Sequence, residues 1–586
     1  MVTPPRSSQS LNLPAPTRRC FGARTLGPAR VLALAEIGAH PSPDDFLHAS
    51  LRWLGLDIGL MSTDLERVPA SGSLLVVANH PTGPMEGILL LALLRSVRQD
   101  VRVLVSPEVS VGWSTVDEHL LCRGIADAEQ WLRSGGSLLA FPSGRVASPR
   151  RWFGPPRDSR WSSAIAAMQR SIGCVTLPIW VGARQPKWFR MAKLAGESIR
   201  TRLLPLALLA QRSQRVVARV GHPIPASQLT RFVADDDRAR YLRLRCEILE
   251  RRKSEHGCDS NEVAHKPLRS QQPIMEAIAT EAIERDLAAL PASAQLLRQG
   301  AIRVLCARAE QIPSALREIG RLRELTFRGV GEGSGHSCDL DAYDATYWHL
   351  FLWDESARAI VGAYRLGVVA ELIEHGGLES LYTTSLYRFR APFLQHVWHG
   401  IELGRSFVQP AYQKGFLPLL LLWKGIAAFV VRDPRRRHLF GTVSISADHH
   451  ATSVRLMVDH LRAHCFDDRL AASVTPVRPW RRPRSEKHGP SWDADAISDL
   501  KDVSAMVKEI EVVRQGVPVL LEQYLKLAAD VVGINVDAAF HTIDALVVVD
   551  LAKSPLHLLE RYMGSAEAKA LKARFPLLDG EMLTQA

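Results

Sequence analysis

The chain has 586 residues, enough for two or three cores, and its 46% hydrophobic and 23% charged residues set it apart from disordered and fibrous sequences. A formal charge of +12 and a pI near 9.5 call for an acidic counterpart: nucleic acid, an anionic membrane surface or an acidic carrier protein. The eight cysteines include no CxxC pair, which argues against a zinc site or a disulfide framework and suits a reducing cytoplasm.

Residues 1–35 contain Arg, Ser and Pro with no acid before Glu36 and read as a flexible basic arm rather than a transit peptide. A first helix is predicted in PDDFLHASLRWLGL, with Phe46, Leu47, Leu51 and Leu54 on one face and acids at its start. Leu74 to Ala78 is a short apolar run bounded by turn formers and predicts a buried strand. His80 then stands just past a strand end, biased to extended geometry by Pro81. Glu86 opens the apolar helical run Gly87 to Leu94, where the helix dipole favours a carboxylate. Imidazole and carboxylate can meet over that turn. A carboxylate that accepts one ring N–H fixes the tautomer and leaves the other nitrogen to take a proton from a hydroxyl, which makes His80 and Glu86 a candidate general base and its orienting acid. The alternative is a capping histidine beside a first-turn glutamate.

The strand-like runs VRVLVS, SLLAFPSG, CVTLPIWVG and RVVARVGHPIP alternate with helical runs to about residue 230, the pattern of an α/β sheet. SLLAFPSGRVASPRRW delivers Phe141 and Pro142 to a Ser-Gly turn followed by Arg145, Arg150 and Arg151. Paired guanidinium N–H groups suit a carboxylate or phosphate, so Arg145 is a candidate for an anionic head; solvated surface arginine is the alternative. From 250 to 273 the apolar periodicity is lost and a linker is predicted.

A second α/β segment follows, with strands in AIRVLCARA, AIVGAYRLG and LFGTVSIS. Its glycines at 329, 331, 333 and 335 are not followed by Gly-Lys-Ser/Thr, which argues against a phosphate loop. Asp339, Asp341 and Asp344 lack calcium-loop spacing and read either as a metal-binding set or as a polar loop capping the next element. In IELGRSFVQP, Glu402 and Arg405 stand three apart; Glu402 is a candidate base for an amine, with Arg365 and Arg405 positioning it or an anionic ligand, unless the pair is a structural ion pair. The apolar stretch 416–431 is too short for a membrane span and is broken by Pro418 and Lys424, so a buried helix is predicted. His449 and His450 read as part of a surface loop, and residues 475–495 as a basic loop.

Residues 40 to about 230 resemble the lysophospholipid acyltransferase superfamily, in which a His-x4-Asp motif deprotonates the acceptor hydroxyl and an FPEGTR-like block grips its anionic head. The matching residues are His80 with Glu86, the FPSGR block with Arg145, and Pro178; the nearest branch is the hemolysin-like one that includes O-acyltransferases of ornithine lipid synthesis. Here the acid is a glutamate after five intervening residues, and the block lacks its glutamate. Residues 290 to 560 resemble the N-acyltransferase fold shared by acyl-homoserine lactone synthases and ornithine N-acyltransferases. The matches are Asp341 and Asp344 of a D-x-x-D, Arg365 of a strand arginine, Glu402 and Arg405 of an E-x-x-R, and the tail segments VPVLLEQYLKL and GINVDAAF.

The joint resemblance, to bifunctional ornithine lipid synthases, implies an α/β chain of two domains. Residues 36–249 would form a lysophospholipid-acyltransferase-like mixed sheet with helices, and 274–586 a GNAT-like mixed sheet with helices. The second would N-acylate ornithine with a 3-hydroxyacyl group from acyl carrier protein, and the first would esterify the 3-hydroxyl. His80, Glu86 and Glu402 take the catalytic roles, and Arg145, Asp341, Asp344, Arg365 and Arg405 the substrate-binding ones. No metal and no cofactor is implied beyond an acyl thioester on acyl carrier protein or CoA. The expected partners are acyl carrier protein, ornithine or a related amino acid, and the anionic inner face of the cytoplasmic membrane, met peripherally. Nucleic acid is not expected, since basic motifs interleaved with aromatics are absent. The alternatives are a 1-acylglycerol-3-phosphate-type acyltransferase with a regulatory or inactive second domain, and a non-catalytic membrane-surface adaptor.

Overall fold

The computed structural model describes residues 42–105, 120–149, 156–192, 213–252, 271–484, 497–511 and 516–576, with a few single positions between them. The chain divides into two compact units, Met1–His256 with Pro490–Trp492 and Gly257–Gly489 with Asp493–Ala586, and each is described by itself. The arm 1–35, Arg150, Arg151 and most of the linker 250–273 lie outside the described residues.

The N-terminal unit opens with α1, Pro43–Leu54, where Ser42 Oγ accepts the Asp45 N–H and Gly55, at φ 58°, closes the last turn in the left-handed region. Its sheet has seven strands: β1 Asp57–Gly59, β2 Leu74–Ala78, β3 Val101–Val105, β4 Leu121–Arg123, β5 Ser137–Ala140, β6 Val175–Gly182 and β7 Arg215–Val220. They lie in the order β1-β7-β6-β2-β5-β3-β4, parallel except for the pair β6 and β7. The central strand β2 is buried along its whole length, because a parallel strand covered on both faces needs a continuous apolar run. Helix α2, Pro84–Arg95, packs Met85, Leu89 and Leu91 into the same core as Leu74 and Val76. Neighbouring parallel strands end at one edge of a sheet, and there β2 and β5 deliver His80 and Phe141 side by side.

The C-terminal unit is built on eight strands: β8 Gln295–Gln299, β9 Ile302–Arg308, β10 Trp348–Asp354, β11 Ala359–Val368, β12 Ile401–Val408, β13 His438–Ser446, β14 Asp530–Asp537 and β15 Thr542–Asp550. Their order is β8-β9-β10-β11-β12-β13-β15-β14. Alternation along β10 separates the two faces. Phe351 joins Ile319 and Leu322 of α3, Pro313–Gly329, in one core. Leu350 meets Gly425 of α4, Leu417–Val431, on the other face, so closely that a Cβ on Gly425 would lie 2.8 Å from its methyl. Helix α4 is the buried helix expected from its sequence; Pro418 sits in the first turn, where a missing N–H leaves no bond unmade. Among the described residues no helix is long and apolar enough to cross a membrane.

Every neighbouring pair in this sheet is antiparallel except β12 and β13. Those two run parallel and pair only at Ile401 with Leu439 and Glu402 with Phe440. At that root the strands are pressed together: a Cβ on Gly441 would stand 2.2 Å from the Leu403 carbonyl oxygen. Further along no ladder joins them, and the sheet opens. On the other side of β12 the register with β11 shifts between Ala363 and Arg365, and Arg405 adopts φ 50°, a left-handed conformation that is costly for a non-glycine residue. The shift and the strain both fall where Arg405 must be aimed.

Candidate active sites

In the N-terminal unit, His80 is set by its backbone as much as by its side chain. Its N–H donates to Asp158 Oδ1 at 3.1 Å, and its carbonyl accepts the Ala147 N–H at 2.7 Å from the loop that carries Arg145. The ring lies against Phe141, with centroids 4.5 Å apart. The two motifs separated by sixty residues of sequence are therefore one site. Nδ1 lies 3.0 Å from Glu86 Oε1, within charge-pair reach, although the angle falls short of a ring N–H bond.

Glu86 is fully buried at the third residue of α2, where Oε1 accepts the Thr82 and Gly83 N–H groups at 2.8 Å each and Oε2 accepts the Thr82 hydroxyl at 2.5 Å. It thus caps the helix and faces the imidazole at once. The N–H groups of Thr82 and Gly83 are engaged by Glu86 and are not open to a thioester oxyanion. Arg145 is exposed, on a turn held by the Ser143 hydroxyl, which donates to the Arg145 carbonyl at 2.9 Å. Asp158, which sequence reasoning did not single out, also accepts the Trp161 indole N–H at 3.0 Å; burial pushes its carboxyl above the usual range while those bonds pull it down. Its only signal in the sequence is a lone acid between two arginines, which is weak.

In the C-terminal unit the predicted residues split into two groups. Asp341, Asp344, Arg365 and Arg405 come together with Arg323, which was not foreseen. Asp341 caps the turn Ala342–Ala345, taking the Tyr343 N–H at 3.0 Å, while Asp344 Oδ2 accepts the Asp341 N–H at 2.9 Å. Arg365 Nη1 donates to Asp341 Oδ1 at 2.5 Å, and Arg405 Nη2 reaches Asp341 Oδ2 at 3.4 Å. Arg323 donates to Asp344 Oδ1 at 3.1 Å. Burial opposes the Asp344 charge, but Arg323 and Arg365 outweigh it and hold the carboxyl down at about 2.

Glu402 is the second group. It is buried; Tyr347 donates its hydroxyl to Oε2, the Tyr382 N–H reaches the same oxygen at 3.2 Å, and the Thr383 N–H reaches Oε1 at 2.7 Å. Burial raises its carboxyl above the ordinary range against the pull of those donors. Action on an amine would require one of these bonds to open.

Where β12 and β13 part there is a cleft of roughly 950 Å³, lined among others by Gly404, Arg405, Thr442, Ser444, Phe540 and Asp544. Arg405 lies over the rings of Tyr382 and Phe540, 5.3 and 4.6 Å from their centroids. Glu402 is not among the lining residues, whereas Asp537, Asp544 and His449 are. His449 does stand in the loop that follows β13, but its side chain is turned inward, 8% exposed, with Nδ1 3.3 Å from Glu511 Oε1 at the end of the helix Leu500–Glu511. His450 instead accepts the Thr452 N–H at the start of the next helix. No group of three metal-ligating side chains occurs among the described residues. The trace of Asp544 in the sequence is an acid within the nine-residue strand TIDALVVVD, buried throughout; a charge in such a run needs a reason.

Comparison with known proteins adds the following. The model of the acetyltransferase (GNAT) domain family matches residues 322–423, from α3 through β12 into α4. The glycine N(alpha)-acyltransferase of Bacteroides thetaiotaomicron is 32% identical over 231 residues, 37% of this chain and 67% of that protein. The L-ornithine N(alpha)-acyltransferase of Agrobacterium fabrum is 27% identical over 261 residues, 42% of this chain and 78% of that protein. Among solved structures, the 1-acyl-sn-glycerophosphate acyltransferase PlsC from Thermotoga maritima matches 39% of this chain and 83% of its own, at 18% identity and a TM-score of 0.26.

Proposed function

We propose, for a chain that belongs to the N(alpha)-acyltransferase family, that its two units carry out successive acyl transfers which build an aminolipid. The chain is an acyltransferase with a GNAT domain; the substrates and the coupling of the two steps are our reading. The C-terminal unit transfers a 3-hydroxyacyl group from a thioester to the α-amine of ornithine or a related amino acid. The N-terminal unit then esterifies the 3-hydroxyl of that product.

The observation that carries the first step is the parting of β12 and β13 beyond a two-residue ladder. An acyl thioester lying there would expose its carbonyl to the open strand edges, and the amine would approach from the end lined by Arg405 and Asp544. For the second step, His80 beside a buried Glu86 is arranged to remove the proton of an acceptor hydroxyl, with the exposed Arg145 beside it to meet an anionic group on the acceptor. The acyl donor in this reading is acyl carrier protein or CoA. The charge of +12 would steer an acidic carrier and hold the enzyme peripherally at the anionic inner face of the cytoplasmic membrane.

The test is the lipid content of a bacterial host without aminolipids, with and without this chain. A ninhydrin-positive lipid that yields an amino acid, one 3-hydroxy fatty acid and one further fatty acid on hydrolysis is the expected outcome. Lipids unchanged by an expressed, folded chain would reject the reading.

A further inference from the structure

Resting on the N-acylation reading, we infer that Asp544 is the carboxylate that takes the proton from the attacking amine. The argument is one of access. Glu402 is enclosed, with both oxygens accepting hydrogen bonds, and does not line the cleft. Asp544 does line it, although it is 2% exposed. The Ser444 hydroxyl donates to its Oδ1 at 2.7 Å and the Thr542 hydroxyl at 3.0 Å. No donor among the described residues reaches Oδ2, which leaves one oxygen fixed in place by two bonds and the other available to a ligand.

The charges around Asp544 suit a base. From β14 comes Asp537, which accepts the Ala539 N–H at 2.7 Å; from β12 comes Arg405; from β13, Ser444; and from the strand Tyr387–Phe389, the Tyr387 hydroxyl, which donates to the Asp544 carbonyl at 2.7 Å. Arg405 is the cation facing it, and that guanidinium is shared with Asp341 at 3.4 Å. Burial, reinforced by the like charge of Asp537, pushes the Asp544 carboxyl up to about 6 against the hydroxyl bonds and Arg405. Such a group is ionised at neutral pH yet more basic than an ordinary carboxylate.

The step balances as follows. An ammonium carries three N–H protons and the amide one. Asp544 takes one proton and later passes it to solvent; the lone pair so freed attacks the thioester carbonyl, the C–N bond forms and the C=O π electrons move to oxygen. The tetrahedral intermediate collapses with cleavage of C–S, and the departing sulfur takes the second proton to leave as a thiol.

The experiment measures amide formation by the purified full chain from a 3-hydroxyacyl thioester and ornithine across pH 5 to 9, for wild type, Asp544→Asn, Asp537→Asn and Glu402→Gln. Wild-type kcat should rise with pH through a limb near 6, where Asp544 ionises. Asp544→Asn keeps the hydroxyl bonds and should lower kcat by about 100-fold or more, with loss of that limb. Removing the neighbouring charge in Asp537→Asn lowers the pKa of Asp544, so the limb should move to lower pH, a shift that a purely structural role would not produce. Asp544→Asn with wild-type kcat and pH profile would overturn the inference, and so would an unmoved limb in Asp537→Asn. A folded Glu402→Gln that is as dead as Asp544→Asn is mild would return the role to Glu402. If wild type acylates no amino acid from any donor, the N-acylation reading itself falls, which is a different result from any of these.

Discussion

His80 of the N-terminal unit and Asp344 of the C-terminal unit illustrate two ways of holding a polar side chain in place. His80 is fixed through its backbone to Asp158 and Ala147, while its ring stays at the sheet edge against Phe141. His80→Ala should abolish the ester step and leave the mono-acylated amino acid accumulating, read by mass spectrometry of lipid extracts; undiminished diacyl product would remove the general-base role. Glu86→Gln should slow the ester step less, because the imidazole remains, but should also lower thermal stability, since a carboxylate that accepts three bonds at a helix start is replaced by a weaker acceptor.

Asp344 is held by charge. Its carboxyl is depressed from 3.8 to about 2 against the cost of burial by Arg323 and Arg365. A depressed pKa in the folded state means that this contribution, on the order of 2 kcal/mol, is present above the unfolded pKa near 4 and is lost as pH falls toward 2. Asp344→Asn takes the carboxylate from the buried Arg323, while Arg365 keeps Asp341, and should cost about 3 kcal/mol of unfolding free energy at pH 7. Urea titrations at pH 7 and pH 2.5 should show the difference between variant and wild type shrinking at the lower pH; a constant difference would place the stabilisation elsewhere.

At the scale of elements, the strands that the sequence predicts are those whose surroundings are uniform. Leu74 to Ala78 is buried on both faces, and apolar composition alone marks it. Ala359–Val368 is likewise buried except at its two ends, and α4 is recognisable because only burial explains a helix so apolar yet so short. The cleft is not recognisable in that way. It arises because β12 and β13 pair over two residues and then part, and hydrophobic pattern carries no information about which neighbour a strand loses. The motif residues Glu402 and Arg405 are legible, but their different fates depend on a register shift opposite Gly404 that turns Arg405 into the cleft while Glu402 faces Tyr347 and Thr383. Asp537 and Asp544 lie more than one hundred and thirty residues further on, so only the fold brings them to Arg405.

The root of the cleft gives a prediction at this scale. Gly441 meets the Leu403 carbonyl oxygen with no space for a Cβ, which would lie 2.2 Å away and is opposed by backbone rather than by a side chain that can turn aside. Gly441→Ala should therefore prise the strands apart just beyond their two paired positions and cost about 1 to 3 kcal/mol, seen as a lowered Tm. Amide formation should fall with it, while esterification of a supplied mono-acylated amino acid, which uses the other unit, should persist. An unchanged Tm would mean that the two strands accommodate the methyl and that their close approach does not fix the cleft.

For the whole molecule, the proposed pair of reactions implies an order that the chain order reverses. In that proposal the hydroxyl that His80 would deprotonate exists on the acceptor only after the 3-hydroxyacyl amide has been made, so the C-terminal unit would act first. Loss of its base in Asp544→Asn should then suppress both products, whereas His80→Ala suppresses only the second. The two variants together report how the intermediate travels. A mono-acylated amino acid is an amphiphile that partitions into a membrane surface, where it can diffuse to another enzyme molecule. If that is its route, a mixture of His80→Ala and Asp544→Asn proteins on vesicles should restore diacyl product, with a rate that falls as the vesicle surface is enlarged at constant protein. If the intermediate instead passes directly from unit to unit of one chain, the mixture should stay at the level of the single variants while wild type under the same conditions shows no lag before diacyl product appears.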